Sequence, residues 1–487
     1  MYKNLAILAL LTLSLNTFAD QDIPKRALKS NYKEVYNTQA KEAETFSEMF
    51  SEGEFYGRLR SNTFYFRWAN EDEKHSIHLI SALGASFIYK SATYADFDFT
   101  TALYASQAFF DDKGDPIAHL KPGKDVLSRY DYINTGNKSM AVIGQAYLRY
   151  SGIEKSEIIL GRQIVETFYT KSNDTKMIPN TFDGLVFGTK ALDKTSIKLA
   201  YLAEQKLRDH TQAHSVLMYG DANASSKNQA SWSANDDSAM HRGLTYSALK
   251  AAGKPTDSPL IVADITTKAL ANHKLDASFY IVPQLLSQMM LEANYQFNFD
   301  GFSLSPGFRY VKQFDNGAGK VGGASYTGDS TGYKNPKSLD SQMIAARLVA
   351  KVQKYKINLG YTNIFDEADL ITPWRAFVSS GYTRSMGIYN WRANTKSYRL
   401  EMQKNANKKG VYKDLFIQAS LLYIDADEEK TGYHNLDELY YYLGFVQNIP
   451  SLVDLQWRLR LGYAQFLNDD NDNFNYLDAR FELNYLF

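Results

Sequence analysis

Apolar residues fall at every second position along much of this chain, and that rhythm commits it to β-structure. In the final segment Phe481, Leu483, Tyr485 and Phe487 share one face, while Asp478, Arg480, Glu482 and Asn484 share the other. Leu455, Trp457, Leu459, Leu461 and Tyr463 alternate with Gln456, Arg458 and Arg460. Ile344, Ala346, Leu348, Ala350 and Val352 alternate with Arg347 and Lys351, and Phe97, Phe99, Thr101 and Leu103 with Asp96, Asp98 and Thr100. Successive side chains point to opposite faces of a strand, so each segment has one greasy and one wet face. Segments of roughly ten residues with this alternation are what a membrane-spanning barrel requires.

Composition supports that reading. Tyr 35 and Phe 28 are high counts in a chain whose mean hydropathy, -0.39, is polar. The absence of cysteine removes disulfide frameworks, thiol catalysis and thiolate metal sites together. A net charge of +0 gives no support to nucleic-acid binding. At the start, Lys3 precedes an apolar run from Leu5 to Leu15 and then Thr17-Phe18-Ala19, the layout of a secretory signal cut after Ala19. The run is shorter than the ~20 residues a spanning helix needs. No later segment reaches that length without charges, so a membrane location requires a closed barrel.

The expected division is a signal peptide over 1–19, a charged periplasmic extension over 20–53 with helical character around Lys41 to Glu44, and a barrel over 54–487. Alternation predicts strands near 54–68, 76–90, 94–106, 139–150, 155–163, 182–190, 195–205, 257–268, 272–281, 286–299, 302–313, 340–353, 356–363, 395–405, 413–424, 437–448, 454–466 and 475–487, about eighteen in all. Connections sort by length. If the first strand starts in the periplasm, the inner turns are short, among them Ser151 to Glu154, Asp300-Gly301, Lys354-Tyr355 and Ile449 to Val453. The long segments 107–138, 164–181, 206–256, 314–339 and 364–394 all fall on the outer side, as in outer-membrane barrels. The chain ends on an alternating strand with Phe487, the form of a barrel-assembly signal.

The wet faces are rich in arginine. Alternation turns Arg58, Arg60, Arg149, Arg309, Arg347, Arg399, Arg458, Arg460 and Arg480 toward the lumen, with Asp96, Asp98, Glu401, Asp478 and Glu482 on the same faces. Arginine is charged at every relevant pH and offers a planar fork of donors, so such a wall attracts carboxylates and sets a barrier for one sign of ion. Some of these charges are expected only to pair across strands. Enzyme signatures are poor: there is no nucleophile elbow, phosphate loop or dinucleotide fingerprint. His210 and His214 have a metal-like spacing but fall in the longest outer loop, where a solvated loop is the plainer reading, and no metal or cofactor is expected.

The segment 164–181, with Tyr169, Lys171, Asp174 and Lys176, is long for a hairpin loop and could fold inward. Leu160-Gly161-Arg162-Gln163, followed by Asp174-Thr175-Lys176-Met177-Ile178-Pro179-Asn180-Thr181-Phe182-Asp183-Gly184, resembles the constriction-loop region of OprD-type porins of the bacterial outer membrane. Asn363 to Asp369, Pro373-Trp374-Arg375 and Tyr389-Asn390-Trp391 also look like this family. The resemblance implies an eighteen-stranded barrel, an inward third loop, and a basic ladder facing acidic constriction residues. It places Arg162, Tyr169, Asp174 and Lys176 at or beside the constriction. The chain departs from the family at Lys176, where arginine is common, and lacks a proline between Ile164 and Phe168.

The expectation is therefore an all-β transmembrane antiparallel barrel in a bacterial outer membrane, and not an enzyme. It would pass small polar or charged solutes such as carboxylates, amino acids, peptides or ions. Its partners would be those solutes, outer membrane lipids and the barrel-assembly machinery, with monomer and homotrimer both compatible. A barrel protease or phospholipase, or a surface adhesin built on the 206–256 loop, is the alternative.

Overall fold

The computed structural model describes residues 27–29, 33–35, 41–71, 77–113, 126–172, 176–217, 241–407, 413–430, 436–467 and 474–487. The proposed signal over 1–19 and the constriction residue Asp174 lie outside the described residues. Among the described residues, 18 antiparallel strands close into one barrel. In chain order they are β1 (Glu54–Trp68), β2 (His78–Lys90), β3 (Phe97–Asp111), β4 (Ser139–Tyr150), β5 (Ser156–Gln163), β6 (Thr181–Thr189), β7 (Thr195–Lys206), β8 (Leu260–Thr267) and β9 (His273–Val282). There follow β10 (Leu286–Tyr295, continued by Phe297–Phe299), β11 (Phe302–Asp315), β12 (Ser341–Val352), β13 (Tyr355–Ile364), β14 (Lys396–Lys404), β15 (Leu415–Asp425), β16 (Glu438–Ile449), β17 (Leu452–Phe466) and β18 (Tyr476–Leu486). Each strand pairs with its neighbour in sequence, and β18 closes on β1 with Arg480 opposite Phe64 and Leu486 opposite Arg58.

The strand positions follow the alternation, with β3 extending to Asp111 beyond its expected end. One rim carries tight turns. At Asp300-Gly301 the glycine takes φ 79, a left-handed conformation that side chains resist, and the flanking Phe299 and Phe302 rings stack at 4.6 Å. The other rim carries the long connections. The helix expected near Lys41 to Glu44 forms later, over Phe46–Ser51. Thr45 caps it by accepting from the Glu48 amide, and residues 41–43 instead bridge to Thr93 in the β2–β3 turn. The cap sets the helix start, because a first-turn amide needs a side-chain acceptor.

Burial inverts the arrangement of a soluble protein. Leu160, Leu199, Leu291, Leu359 and Phe481 stand exposed on the outer wall, whereas Arg58, Arg458 and Glu482 are buried inside. A continuous exposed apolar belt is the surface that a bilayer accepts and water does not. No helix among the described residues is long and apolar enough to cross a membrane, so any crossing falls to the strands. Phe487 ends the closing strand: its amide and carbonyl exchange hydrogen bonds with Gly57 at 3.1 and 3.0 Å. A Cβ at Gly57 would lie 2.5 Å from the Phe487 ring, so this terminal aromatic requires glycine opposite it.

Candidate functional site

Eighteen strands enclose more space than wall side chains can fill. Here two long connections turn inward and occupy it. The first, residues 164–180 between β5 and β6, is held by aromatic packing. Tyr169 meets Tyr280 of β9 edge to face at 4.7 Å, and Tyr280 meets Trp374 at the same separation. Burial pushes the Tyr169 phenol well above its ordinary pKa, so it stays neutral. At the start of this loop the Phe168 amide donates to Asp264 of β8 at 2.6 Å, and Lys198 of β7 donates to the Glu166 carbonyl at 2.9 Å. Further along, Met177 and Ile178 pack among Phe64, Ala82 and Tyr104, and the Lys176 ammonium sits 4.2 Å over the Phe64 ring.

The second connection, residues 365–395 between β13 and β14, is held by charged donors. Arg309 of β11 donates to the carbonyls of Val378 and Ser380 at 2.5 and 2.9 Å. Arg347 of β12 and Asn358 of β13 both donate to the Gly381 carbonyl, at 3.1 and 3.2 Å. The Tyr382 ring lies under both guanidinium groups, at 4.5 and 4.6 Å. Gly360 permits this approach, since a Cβ there would be 2.3 Å from the Tyr382 carbonyl oxygen. The two loops touch one another: the Lys171 amide donates to the Trp374 carbonyl at 3.0 Å, and Thr170 bridges to Arg375.

The arginines form four groups. On β17, β18 and β1, Arg460 pairs with Glu482, while Arg458 and Arg60 approach the same carboxylate at 3.8 and 3.9 Å. Arg480 chelates Asp478 at 3.0 and 2.5 Å, and Arg58 is buried on the same wall. On β10 to β12, Glu292 receives Arg309 at 2.7 Å and Arg347 at 2.8 Å, so one carboxylate is shared by two guanidinium groups and a net positive charge remains. Between these walls, Arg399 pairs with Glu401, which also accepts from Gln403 and Gln418. Across the lumen Arg149 binds Asp98 at 2.7 Å. A buried charge is tolerated only when paired or hydrogen-bonded, and this lumen meets the condition by mixing signs while keeping arginine in excess on the β17–β18–β1 wall.

Two cavities adjoin the loops. One of 980 Å³ is lined by Arg149, Glu157, Lys155 and Lys198, and one of 440 Å³ by Phe168, Glu292, Arg309, Arg347 and Arg375. They share Glu166, Asp264 and Thr266. Both carry charged side chains of both signs.

Of the nine arginines expected on the wet faces, seven are buried and Arg149 and Arg347 are half-buried. Tyr169 and Lys176 lie buried on the inward loop. Arg162 does not. It lies on the same pleat as Leu160, opposite the exposed Ala146, and forms a two-pronged pair with Asp183 at 2.6 Å on the outer face. Gln163, the next residue, takes the inward position. The picture of a solvated loop at His210 and His214 is also corrected: both are buried, their rings 4.8 Å apart, because Gln205 at the end of β7 pairs with the His214 backbone and draws the segment in. Sequence reasoning missed Phe168, Asp264, Tyr280 and the inward course of 365–395. The signal available was Pro373-Trp374-Arg375, an aromatic and a cation within a connection too long for a turn.

No family model matches the chain, and no curated protein matches it in sequence. Solved structures match it in fold. Acinetobacter baumannii OccAB3 aligns with a TM-score of 0.68 at 16% identity, covering 89% of this chain and 99% of that one. Pseudomonas aeruginosa OccK8 (OprE) aligns at 0.66 and 15%, covering 90% and 99%. Pseudomonas aeruginosa OpdK, solved with vanillate, aligns at 0.65 and 11%, covering 89% and 98%. The chain has the fold of these barrels along nearly their whole length.

Proposed function

We propose that this barrel is an outer-membrane channel through which small polar or charged solutes diffuse, narrowed by its two inward loops and lined by arginine. The observation that carries this reading is the pair of loops meeting inside the barrel beside charged cavities lined by Arg149, Arg309, Arg347 and Arg375; Arg58, Arg60, Arg458, Arg460 and Arg480 add buried positive charge elsewhere on the wall. A barrel serving only as an anchor or adhesin has no need of buried charge, which costs desolvation energy. The motif likeness to OprD-type porins and the fold shared with Occ barrels support the same conclusion. Within it, Tyr169 and Lys176 are constriction residues and Phe487 is the assembly signal.

The preferred solutes carry a carboxylate. Guanidinium groups on successive strands offer a series of forked sites for such a group. Arg60, Arg458, Arg460 and Arg480 are already shared with a protein carboxylate, so a passing solute exchanges partners and is released. Liposome swelling with the purified protein tests this reading. A small monocarboxylate or amino acid should enter faster than a neutral sugar of equal size, and Arg458→Gln with Arg460→Gln should remove the difference. Equal rates for both solutes in the unaltered protein would contradict carboxylate preference.

A further inference from the structure

The first hairpin at the long-loop rim carries a cluster that the channel reading does not use. His78 opens β2, and Asp111 closes β3 directly beside Asp112. One ligand atom from each of the three residues can be chosen so that all lie within 4.8 Å of one another. His78 Nε2 and Asp111 Oδ1 are hydrogen-bonded at 3.1 Å, a few tenths of an ångström short of the roughly 3.4 Å between ligands on a tetrahedral cation with bonds of about 2.1 Å, so a small outward shift admits an ion.

The carboxylates are only partly used by protein donors. Asp111 Oδ1 also accepts from the Lys113 amide at 3.2 Å, and Asp112 Oδ1 accepts from the Leu79 amide at 2.9 Å. Asp111 Oδ2 is different. The Asp111 side chain is 2% exposed, and this oxygen has no hydrogen-bond partner among the described residues. A buried carboxylate oxygen without a donor is costly, and a cation is the partner that satisfies it most fully. Asp112 is exposed, which gives an entry path from solvent.

We propose that His78, Asp111 and Asp112 bind a first-row divalent cation, zinc being the best fit. An imidazole nitrogen beside carboxylate oxygens selects such ions over calcium or magnesium, which take oxygen ligands. The protein supplies three ligands and water completes the shell. The bound ion cross-links the residue that ends the β1–β2 connection to those that begin the β3–β4 connection. The latter bears Val126 and Leu127, which belong to the same packed cluster as Met177 and Ile178 of the first inward loop.

Zinc chloride titrated into the full-length detergent-purified barrel, followed calorimetrically, tests the site. Asp112→Asn keeps the oxygen that accepts from Leu79 and lies on the surface, so the barrel still folds; Asp111→Asn probes the buried ligand. The expected result is one zinc bound per barrel, with affinity reduced at least roughly tenfold in either variant and no competition from equimolar calcium. No zinc binding by the unaltered protein, or equal binding by the unaltered protein and Asp112→Asn, would overturn the proposal.

Discussion

The two inward loops reach the same lumen by different chemistry. The 164–180 loop is fixed through Tyr169, which packs on Tyr280 and through it on Trp374. The 365–395 loop is fixed through carbonyls that accept from Arg309, Arg347 and Asn358. The first anchorage draws on Asp264 and Lys198 beside its aromatic packing, whereas the second consumes hydrogen bonds of two of the wall arginines. Arginines that look equivalent by alternation therefore divide by task. Arg309 and Arg347 hold a loop, while Arg60, Arg458, Arg460 and Arg480 share a wall with the carboxylates of Glu482 and Asp478. Trp374 belongs to both systems: it lies on the second loop and packs on the anchor of the first.

Removing that shared ring should have the largest effect. Trp374→Ala deletes a fully buried side chain and its hydrogen bond to the Val216 carbonyl, at a cost of about 3–5 kcal/mol. Both loops should loosen, seen as larger and noisier single-channel currents and a lower unfolding temperature. Glu292→Gln separates the two anchorages. It leaves Arg309 and Arg347 buried without their shared carboxylate, a loss of about 3 kcal/mol. The 365–395 loop should become protease-sensitive while 164–180 does not; equal sensitivity of both loops would show that they are one unit. Gly360→Ala acts on the same loop by sterics alone, through the close approach to Tyr382, and should cost about 1–3 kcal/mol, with a modest rise in conductance.

The smallest effect is at the outer rim. Burial pushes Asp366 up, but Lys334 and Lys430 outweigh it and hold its carboxyl below the ordinary aspartate value. A depressed folded pKa means that the stabilisation is present above the unfolded pKa of about 3.9 and is lost as pH falls through the lower folded value. Asp366→Asn should therefore change the unfolding temperature little at neutral pH, by less than about 1 kcal/mol in stability. It should also flatten the decline on acidification below pH of about 4.

The barrel was legible because alternation is a direct consequence of strand geometry, and a wet lumen with a lipid-facing exterior enforces it on every strand. That same rule places Arg162 outside, since Leu160 two residues earlier shares its pleat; the motif likeness pointed inward and alternation was the better guide. The Phe46–Ser51 helix was readable from Thr45 and Glu48, a cap and its first-turn acid. For 365–395, Pro373-Trp374-Arg375 was the one local cue, and how the loop is anchored was not readable. Its anchors are backbone carbonyls held by arginines more than thirty residues away in β11 and β12, and no local pattern encodes such a contact.

Single-channel recording in planar bilayers tests the central claim most directly. The purified protein should give small discrete current steps. In a salt gradient its reversal potential should move toward cation preference when Arg458→Gln and Arg460→Gln are combined. No current steps from the correctly folded protein, or an unchanged reversal potential in the double variant, would contradict a narrowed pore with an arginine wall.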